Sequence, residues 1–461
     1  MVGLFTATRR PYALPLAVVT VLLATAGCST TSSGTSGADS SQAKATAIPS
    51  KDGPGVTDRT ITLSYGGWLA DLPAQQRAVT KSAVDEVVKI FNSRGGAGGR
   101  QIRFLPAEKD PGAPLVKQRA VAYSKANNLP LPDPSKGKQA CDAYAKTPVF
   151  GLVDADLVSP PYGTAAAGAC LSAGGRISVG VVGWNEADFR AAPSAAGLTL
   201  ATDRAIDALV AAGKDSGVLG TGAKTGLLTD STAPEDSSTY LPALAKAGLK
   251  NPLALPVNPN LGQADALNVV VKMKSAGLKN LVVLVGERES GKTLMALASV
   301  FKQQKYYPRI LMVDGPAPDV LAYTAHGLPA QLMSNFAAYT TTVTTAPTPQ
   351  ILTAMKSTPA GKLCADAAAA LKLSAATFMG MDHLCDNLEL LKAALAASGS
   401  KYINSQAFAT GLGKLSTTYR SPDLIGTEFG PDRHYGASGL ARVDYSAKCK
   451  CSVVSNHRIP F

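Results

Sequence analysis

Hydrophobic positions along this chain fall into three regimes, and each predicts a different kind of structure. Residues 13–24 (ALPLAVVTVLLA) form one unbroken apolar run behind Arg9 and Arg10. Such a run is too short to cross a bilayer as a helix, which takes roughly 20 residues. With its basic start it reads as an export signal. From 29 to 56 the apolar pattern gives way to Ser, Thr, Gly, Ala and Lys with Pro49 and Pro54, the composition of a flexible tether. As a coil this stretch reaches about 30 Å.

From residue 60 onward, short β-rich runs alternate with segments of helical period. Residues 60–65 (TITLSY) read as a strand that leaves through Gly66-Gly67-Trp68. Val79, Ala83, Val87, Ile90 and Phe91 recur at helical spacing. The Gly-rich stretch 92–99 ends that helix, and 101–105 is a second strand. Strand, helix and strand in so short a span make a βαβ unit, hence a parallel sheet. A helical region then runs to Lys146, interrupted by a Pro-rich loop at 129–134, and strands at 149–153 and 177–182 flank a helix at 164–173. Beyond Phe189-Arg190-Ala191-Ala192-Pro193 a second series places strands at 225–228, 253–257, 281–285 and 310–313, with helices such as 263–275 and 294–303 between them. Ala/Leu-rich helices at 350–373 and 376–397 and a closing hairpin from 435–445 into the tail complete the chain. The predicted fold class is α/β, with two three-layer α/β/α lobes built on parallel sheets.

Composition changes the picture in two respects. The net charge of +12, or +10 once Arg9 and Arg10 leave with the signal, comes from singly scattered Lys and Arg with no basic stripe interleaved with aromatics. That is a solvated basic surface, and nucleic acid is not an expected partner. The second respect is cysteine. Export turns Cys141, Cys170, Cys364, Cys385, Cys449 and Cys451 into bridge candidates. Sequential pairing is expected because each loop is local, and the two longer loops should each stabilise by about 3–4 kcal/mol. Cys449 and Cys451 form a tight C-x-C, which leaves their bridge open. Of the histidines only His383, beside Cys385, approaches ligand spacing, so no metal is expected.

One motif points elsewhere. Residues 286–293 (GERESGKT) match the P-loop pattern G-x-x-x-x-G-K-[ST] in full, after a strand and opening a helix. A P-loop nucleotide hydrolase is therefore an alternative reading. Against it, Glu287 and Glu289 put negative charge where phosphates need backbone N–H groups and cations. No G-x-S-x-G elbow occurs and no histidine is spaced as a general base, so neither catalytic residues nor a cofactor are expected.

Two resemblances sharpen this reading. Thr25-Ala26-Gly27-Cys28, followed by Ser/Thr/Gly-rich chain, resembles a bacterial lipoprotein signal whose cysteine, Cys28, becomes the lipidated first residue. Thr25 stands where Leu is usual, and Ala24-Thr25-Ala26 also fits an ordinary A-x-A site that would release a secreted protein. Further on, 55–63 (GVTDRTITL), 91–100 (FNSRGGAGGR) and 189–194 (FRAAPS) resemble, in that order, segments of extracytoplasmic solute-binding proteins of the branched-chain amino acid ABC transporter type. The positions of Cys141, Cys170 and the C-x-C resemble a cysteine-containing, Gram-positive-like branch of that family.

The family resemblance implies a two-lobed type I periplasmic-binding-protein fold with a three-segment hinge. Its first lobe would be 57–192 plus 314–414, and its second 193–313 plus 415–461, after a 1–28 signal and a 29–56 tether. It implies a monomer on the outer face of the membrane, lipid-anchored, that captures a small polar or amphipathic solute, an amino acid or a relative, for an ABC permease. The same fold also serves as a sensing module that signals to a partner protein. The ligand would lie at the C-terminal ends of strands. There, Trp68 and Trp184 would form an aromatic wall and Ser159 would cap a helix or receive an anion. Asn185, Asp230 and Ser231 would sit on facing rims, and Glu289 would meet a ligand ammonium. Trp184 and Asn185 stand where amino-acid binders carry small hydroxyl residues.

Overall fold

The first α/β series builds one parallel sheet. The computed structural model describes residues 48–66, 74–114, 134–153, 165–231, 234–258, 261–284, 287–313, 330–342, 356–373, 382–446 and 451–461. Within them, β1 (Thr60–Ser64), β2 (Gln101–Phe104), β3 (Gly151–Val153), β4 (Ile177–Val179) and β5 (Ala195–Ala196) lie in the order β2-β1-β3-β4-β5. All their pairings are parallel, with Ile61 opposite Ile102 and Leu63 opposite Gly151. Ile61 and Leu63 are fully buried, and the alternate residues Thr62 and Ser64 are buried too. That is the signature of a strand covered on both faces.

Helices supply both covers. On one face α1 (Ala74–Ser93) packs with helices from far along the chain, and Val87 and Phe91 meet Leu363, Leu388 and Phe408 in one core. On the other face α2 (Pro134–Ala145), α3 (Ala165–Ala173) and α4 (Glu186–Ala191) bring Tyr144, Leu171 and Phe189 against Leu152.

The second series follows through α5 (Ala205–Asp215), β6 (Thr225–Asp230), α6 (Pro234–Lys246), β7 (Leu253–Val257), α7 (Gln263–Ser275), β8 (Asn280–Leu284), α8 (Glu287–Gln304), β9 (Arg309–Val313), α9 (Ala330–Met333) and β10 (Phe336–Thr340). After α10 (Pro359–Leu371), α11 (Asp382–Ser398) and α12 (Ser405–Lys414), the hairpin β11 (Gly439–Ser446) and β12 (Cys451–Pro460) closes the chain. The second sheet runs β12-β11-β10-β9-β8-β6-β7, parallel from β7 to β10 and antiparallel at the hairpin edge.

The resemblance implies a first lobe that includes 314–414, and β10 within that range pairs with β9 in the second sheet. Its sequence, FAAYT, is buried at every position and has no alternation to announce it. The same resemblance implies a second lobe that includes 415–461, and Leu415, Tyr419, Leu424, Phe429 and Ala437 of that range sit in the core over the first sheet. Only the hairpin itself joins the second.

Residues 49–56, expected as part of the tether, are docked on the fold. Asn404 donates to the carbonyls of Pro49 and Lys51, Asp52 accepts from the Ile403 N–H and pairs with Arg100 at 2.9 Å, and Gly55 C=O accepts from Thr62 N–H. Residues 49–56 are thus docked through backbone polar groups, which leave no apolar period to read. Gly55 is required there. Its φ is +71°, and a Cβ would lie 2.6 Å from the backbone of Val149 and Phe150.

Two disulfides staple neighbouring helices. Cys141–Cys170 joins α2 to α3 with Cα atoms 6.0 Å apart, and Cys364–Cys385 joins α10 to α11 at 5.8 Å. Cys449 lies outside the described residues, as does the side chain of Cys451 at the start of β12.

Candidate functional site at the joint between the sheets

The chain leaves the first sheet at the C-terminal end of β5 and leaves the parallel part of the second at the C-terminal end of β10. Since neighbouring strands are parallel, the C-terminal ends of both sheets face these crossings. The crossings are bonded to one another. Gly197 N–H donates to His434 C=O and Gly197 C=O accepts from Gly436 N–H, both at 2.9 Å. Ile425 N–H donates to Thr341 C=O at 2.8 Å, beside a bridge between Thr342 and Leu424. The segment 424–438 folds back on itself through Glu428 N–H to Gly436 C=O and Ser438 N–H to Gly426 C=O. Three crossings therefore form one hydrogen-bonded joint, and strand ends with their loops surround it. Open α/β sheets bind ligands at such a place.

The structure puts several expected site residues to other uses. Trp184 is 1% exposed, wedged over Gly168 of α3 with its ring 5.2 Å from Phe189. It is core and does not form an aromatic wall. The missing side chain of Gly168 makes its room, since a Cβ there would lie 2.1 Å from the indole. Asn185 caps α4. Its Oδ1 accepts from Asp188 N–H at 2.9 Å, and Asp188 Oδ2 accepts in return from Asn185 N–H at 3.1 Å.

Ser231 remains exposed just beyond β6, where its N–H donates to Val257 C=O. Asp230 ends β6 and Glu289 falls in the first turn of α8, but both side chains lie outside the described residues. Trp68 and Ser159 lie outside them entirely, as does Cys28. The P-loop match has the wrong local structure. Because α8 begins at Glu287, positions 287–290, which a P-loop needs as its phosphate-cradling loop, are wound into the helix, and Thr293 is fully buried.

Residues that the sequence did not single out gather on the first-sheet side of the joint. The start of α11 lies against the end of β4. Asn387 is 1% exposed and packs on Gly180, where φ is +81° and a Cβ would lie 2.6 Å from Nδ2. Asp386, fully buried, accepts from the hydroxyls of Tyr419 and Ser421, two residues of the returning crossing. Tyr419 is held neutral, its pKa raised first by burial and then by the Asp386 charge. Next to them His383 Nδ1 lies 3.4 Å from the buried carboxylate of Asp423. Polar Asp386, Asn387 and Glu389 interrupt the leucines of α11, and that interruption was the only sequence signal of their role.

The second support is Tyr435. Its hydroxyl donates to Glu186 Oε1 of α4 at 2.5 Å, Arg433 stacks 5.0 Å above its ring, and burial with Glu186 raises its pKa. His434 beside it is 5% exposed with Nε2 3.1 Å from Pro431 C=O, and burial lowers its pKa below the ordinary 6.5. A lowered pKa means that below about pH 6.5 the unfolded chain takes up a proton that the folded chain refuses. His434 therefore costs stability as pH falls below that value and has no effect above it. Urea midpoints measured from pH 7.5 to 5 should fall less steeply in His434→Gln than in the parent, and equal slopes would contradict the assignment.

No family model and no curated protein matches the chain. Solved structures do match its fold. A fatty acid ABC transporter substrate-binding protein from Thermomonospora curvata superposes with a TM-score of 0.53 at 15% identity, over 89% of this chain and 95% of that one. A putative branched-chain amino acid ABC transporter from Rhodospirillum rubrum gives 0.55 at 12%, over 86% and 99%. A leucine-binding protein from Thermotoga maritima gives 0.52 at 11%, over 87% and 98%. The chain has the type I periplasmic-binding-protein fold. Among the described residues no helix is long and apolar enough to cross a membrane.

Proposed function

We propose that the protein is an extracytoplasmic solute-binding lipoprotein. It captures a small polar or amphipathic solute, an amino acid or a relative, between its two lobes and presents it to an ABC permease. The observation that carries this reading is the joint, where three crossings bonded to one another lie between two sheets whose strand ends face them. Rotation about such a joint closes one lobe on the other around a ligand with little repacking of either core. The neighbours' printed titles, substrate-binding proteins of ABC transporters for a fatty acid and for amino acids, support the solute class. Glu289 is the proposed partner of a ligand ammonium, a charge-assisted bond of about 1.5–3 kcal/mol. Ser231, Asp230, Ser159 and Trp68 are the further proposed ligand contacts. Cys28 is the proposed lipid anchor.

A thermal-shift screen of residues 29–461 against amino acids, amides, short peptides, sugars and aromatic acids tests this reading. At a hundredfold excess over Kd the true ligand adds about 2.7 kcal/mol of stability. The expected hit carries an amino group and disappears in Glu289→Ala. Protection by ATP that is lost in Lys292→Ala would instead establish the nucleotide reading and sink this one.

A further inference from the structure

We propose that the end of the second lobe opposite the joint is a docking surface for an anionic lipid bilayer. Its cations are scattered singly along the sequence, and the fold gathers them. Strands β6 to β9 are parallel, so all four begin at this end and helices α5 to α8 finish there. Lys250, Lys224, Lys279 and Arg309 stand at or just before the starts of β7, β6, β8 and β9, the order of those strands across the sheet. The backbone ties this row together. Lys279 N–H donates to Lys224 C=O at 2.8 Å, and Arg309 N–H donates to Lys279 C=O at 2.9 Å. Neighbouring strands lie about 4.8 Å apart, inside the screening length of about 8 Å at physiological salt, so these charges act together.

Helix ends widen the row on both faces of the sheet. Lys214 and Lys246 lie at the ends of α5 and α6 on one face. Lys272 and Lys274 of α7, with Lys302 and Lys305 at the end of α8, lie on the other. Hydrogen bonds link these ends: Lys274 Nζ to Gln304 C=O at 2.9 Å, Lys224 Nζ to Ala276 C=O at 3.3 Å, and Arg309 to Ser216 C=O at 3.0 Å. All ten cations are exposed, and among the described residues none has a carboxylate within ion-pair distance. Asp215, which ends α5, is taken by the Tyr339 hydroxyl at 2.6 Å and His457 Nε2 at 3.2 Å. A lysine in a last turn suits the negative end of a helix dipole. Four helix ends, however, supply only about two negative charges against ten positive ones. The four cations at strand starts have no such local reason.

Carbon flanks the charge. Of the five large hydrophobic side chains that stand exposed among the described residues, Leu267, Val271 and Met295 belong to α7 and α8. Leu267, Val271 and Lys274 follow one face of α7, and α8 packs beside that helix. The apolar strip therefore runs up to the cations. A soluble polyanion would use the charges alone. A bilayer uses both, because peripheral binding grows with the apolar area inserted and with attraction to anionic lipid. The surface lies at the far end of the strands from the joint, so a membrane bound here leaves the C-terminal strand ends uncovered, whichever solute they meet.

The test is flotation of residues 29–461, which lack Cys28, with vesicles of phosphatidylcholine alone or with about one-third phosphatidylglycerol. Binding to the anionic vesicles should be at least tenfold tighter at about 0.1 M salt and should weaken at least tenfold at about 0.5 M. Lys250→Gln, Lys272→Gln, Lys279→Gln and Lys302→Gln combined should weaken it tenfold or more. Lys51→Gln, Lys146→Gln, Lys362→Gln and Lys372→Gln, at exposed positions outside the second sheet and its helices, remove the same charge and should weaken it less than threefold. Leu267→Ser with Val271→Ser should weaken vesicle binding at least threefold and leave binding of polyphosphate unchanged. A photoreactive phosphatidylglycerol on the unmutated chain should label peptides covering 267–279 and 302–309, which decides the matter even if a variant fails to fold. Equal affinity for the two vesicle types, equal loss in the two lysine variants, no loss in the serine variant, labelling elsewhere, or polyphosphate binding without vesicle binding would each overturn the proposal.

Discussion

Asp386→Ala is expected to cost about 3–5 kcal/mol of folding free energy, the loss typical of a buried polar network deprived of its central group. The carboxylate is fully buried and accepts from two buried hydroxyls, those of Tyr419 and Ser421. Alanine strands the Ser421 hydroxyl away from water, at roughly 1–3 kcal/mol, and leaves the Tyr419 hydroxyl only the backbone carbonyl of residue 386, 2.9 Å away. It therefore weakens the link between α11 and the returning crossing. Asp386→Asn keeps the volume and one acceptor, so it should lose about half as much. Tyr419→Phe removes one donor and leaves its partner satisfied by Ser421, and should lose about 1 kcal/mol. Urea unfolding of the three variants gives the ranking directly. An alanine variant within about 1 kcal/mol of the parent would show that the network is solvated and does not bind the crossing to the lobe.

Removing either disulfide is expected to cost about 3–4 kcal/mol. The bridges close loops with sequence separations of 29 and 21 residues. Open loops of that length raise the entropy of the unfolded chain, while the folded helices stay in place. Alanine is the right replacement for Cys364 and Cys385, which are fully buried, because serine would add a hydroxyl in need of a partner. Guanidinium midpoints under oxidising conditions should fall in Cys141→Ala/Cys170→Ala and in Cys364→Ala/Cys385→Ala. The midpoint of the parent should drop by about the sum of the two once a reductant is added. A parent indifferent to reductant would contradict both assignments. The two bridges lie on opposite faces of the first sheet, α2–α3 on one and α10–α11 on the other, so their effects should add.

Most of the strands and the paired cysteines were legible because their signals are local. TITLS is a β-rich run, Val87 and Phe91 sit one helical turn apart, and Cys141 and Cys170 lie on consecutive helices. The misread elements lacked local signals. β10 is two alanines between aromatic residues. Its strand character comes from β9 and β11 on either side. Residues 49–56 look like linker, and their order comes from Asn404 and Arg100, remote in sequence. Trp184 follows a strand as a rim residue would. Only the bare backbone of Gly168 on the next layer shows that the indole points inward.

What the sequence by itself determined was the repeat of strand and helix, and through it two parallel sheets with their strand ends on one side. Those follow from periodicity and propensity, which act over a few residues. Tertiary structure alone decided which sheet owns β10, and where the crossings meet. It also determined that Asp386, Asn387 and Tyr435 brace them. Each of these depends on burying a polar group against a partner tens to hundreds of residues away. The energy of such a contact belongs to the pair, and neither residue announces it alone.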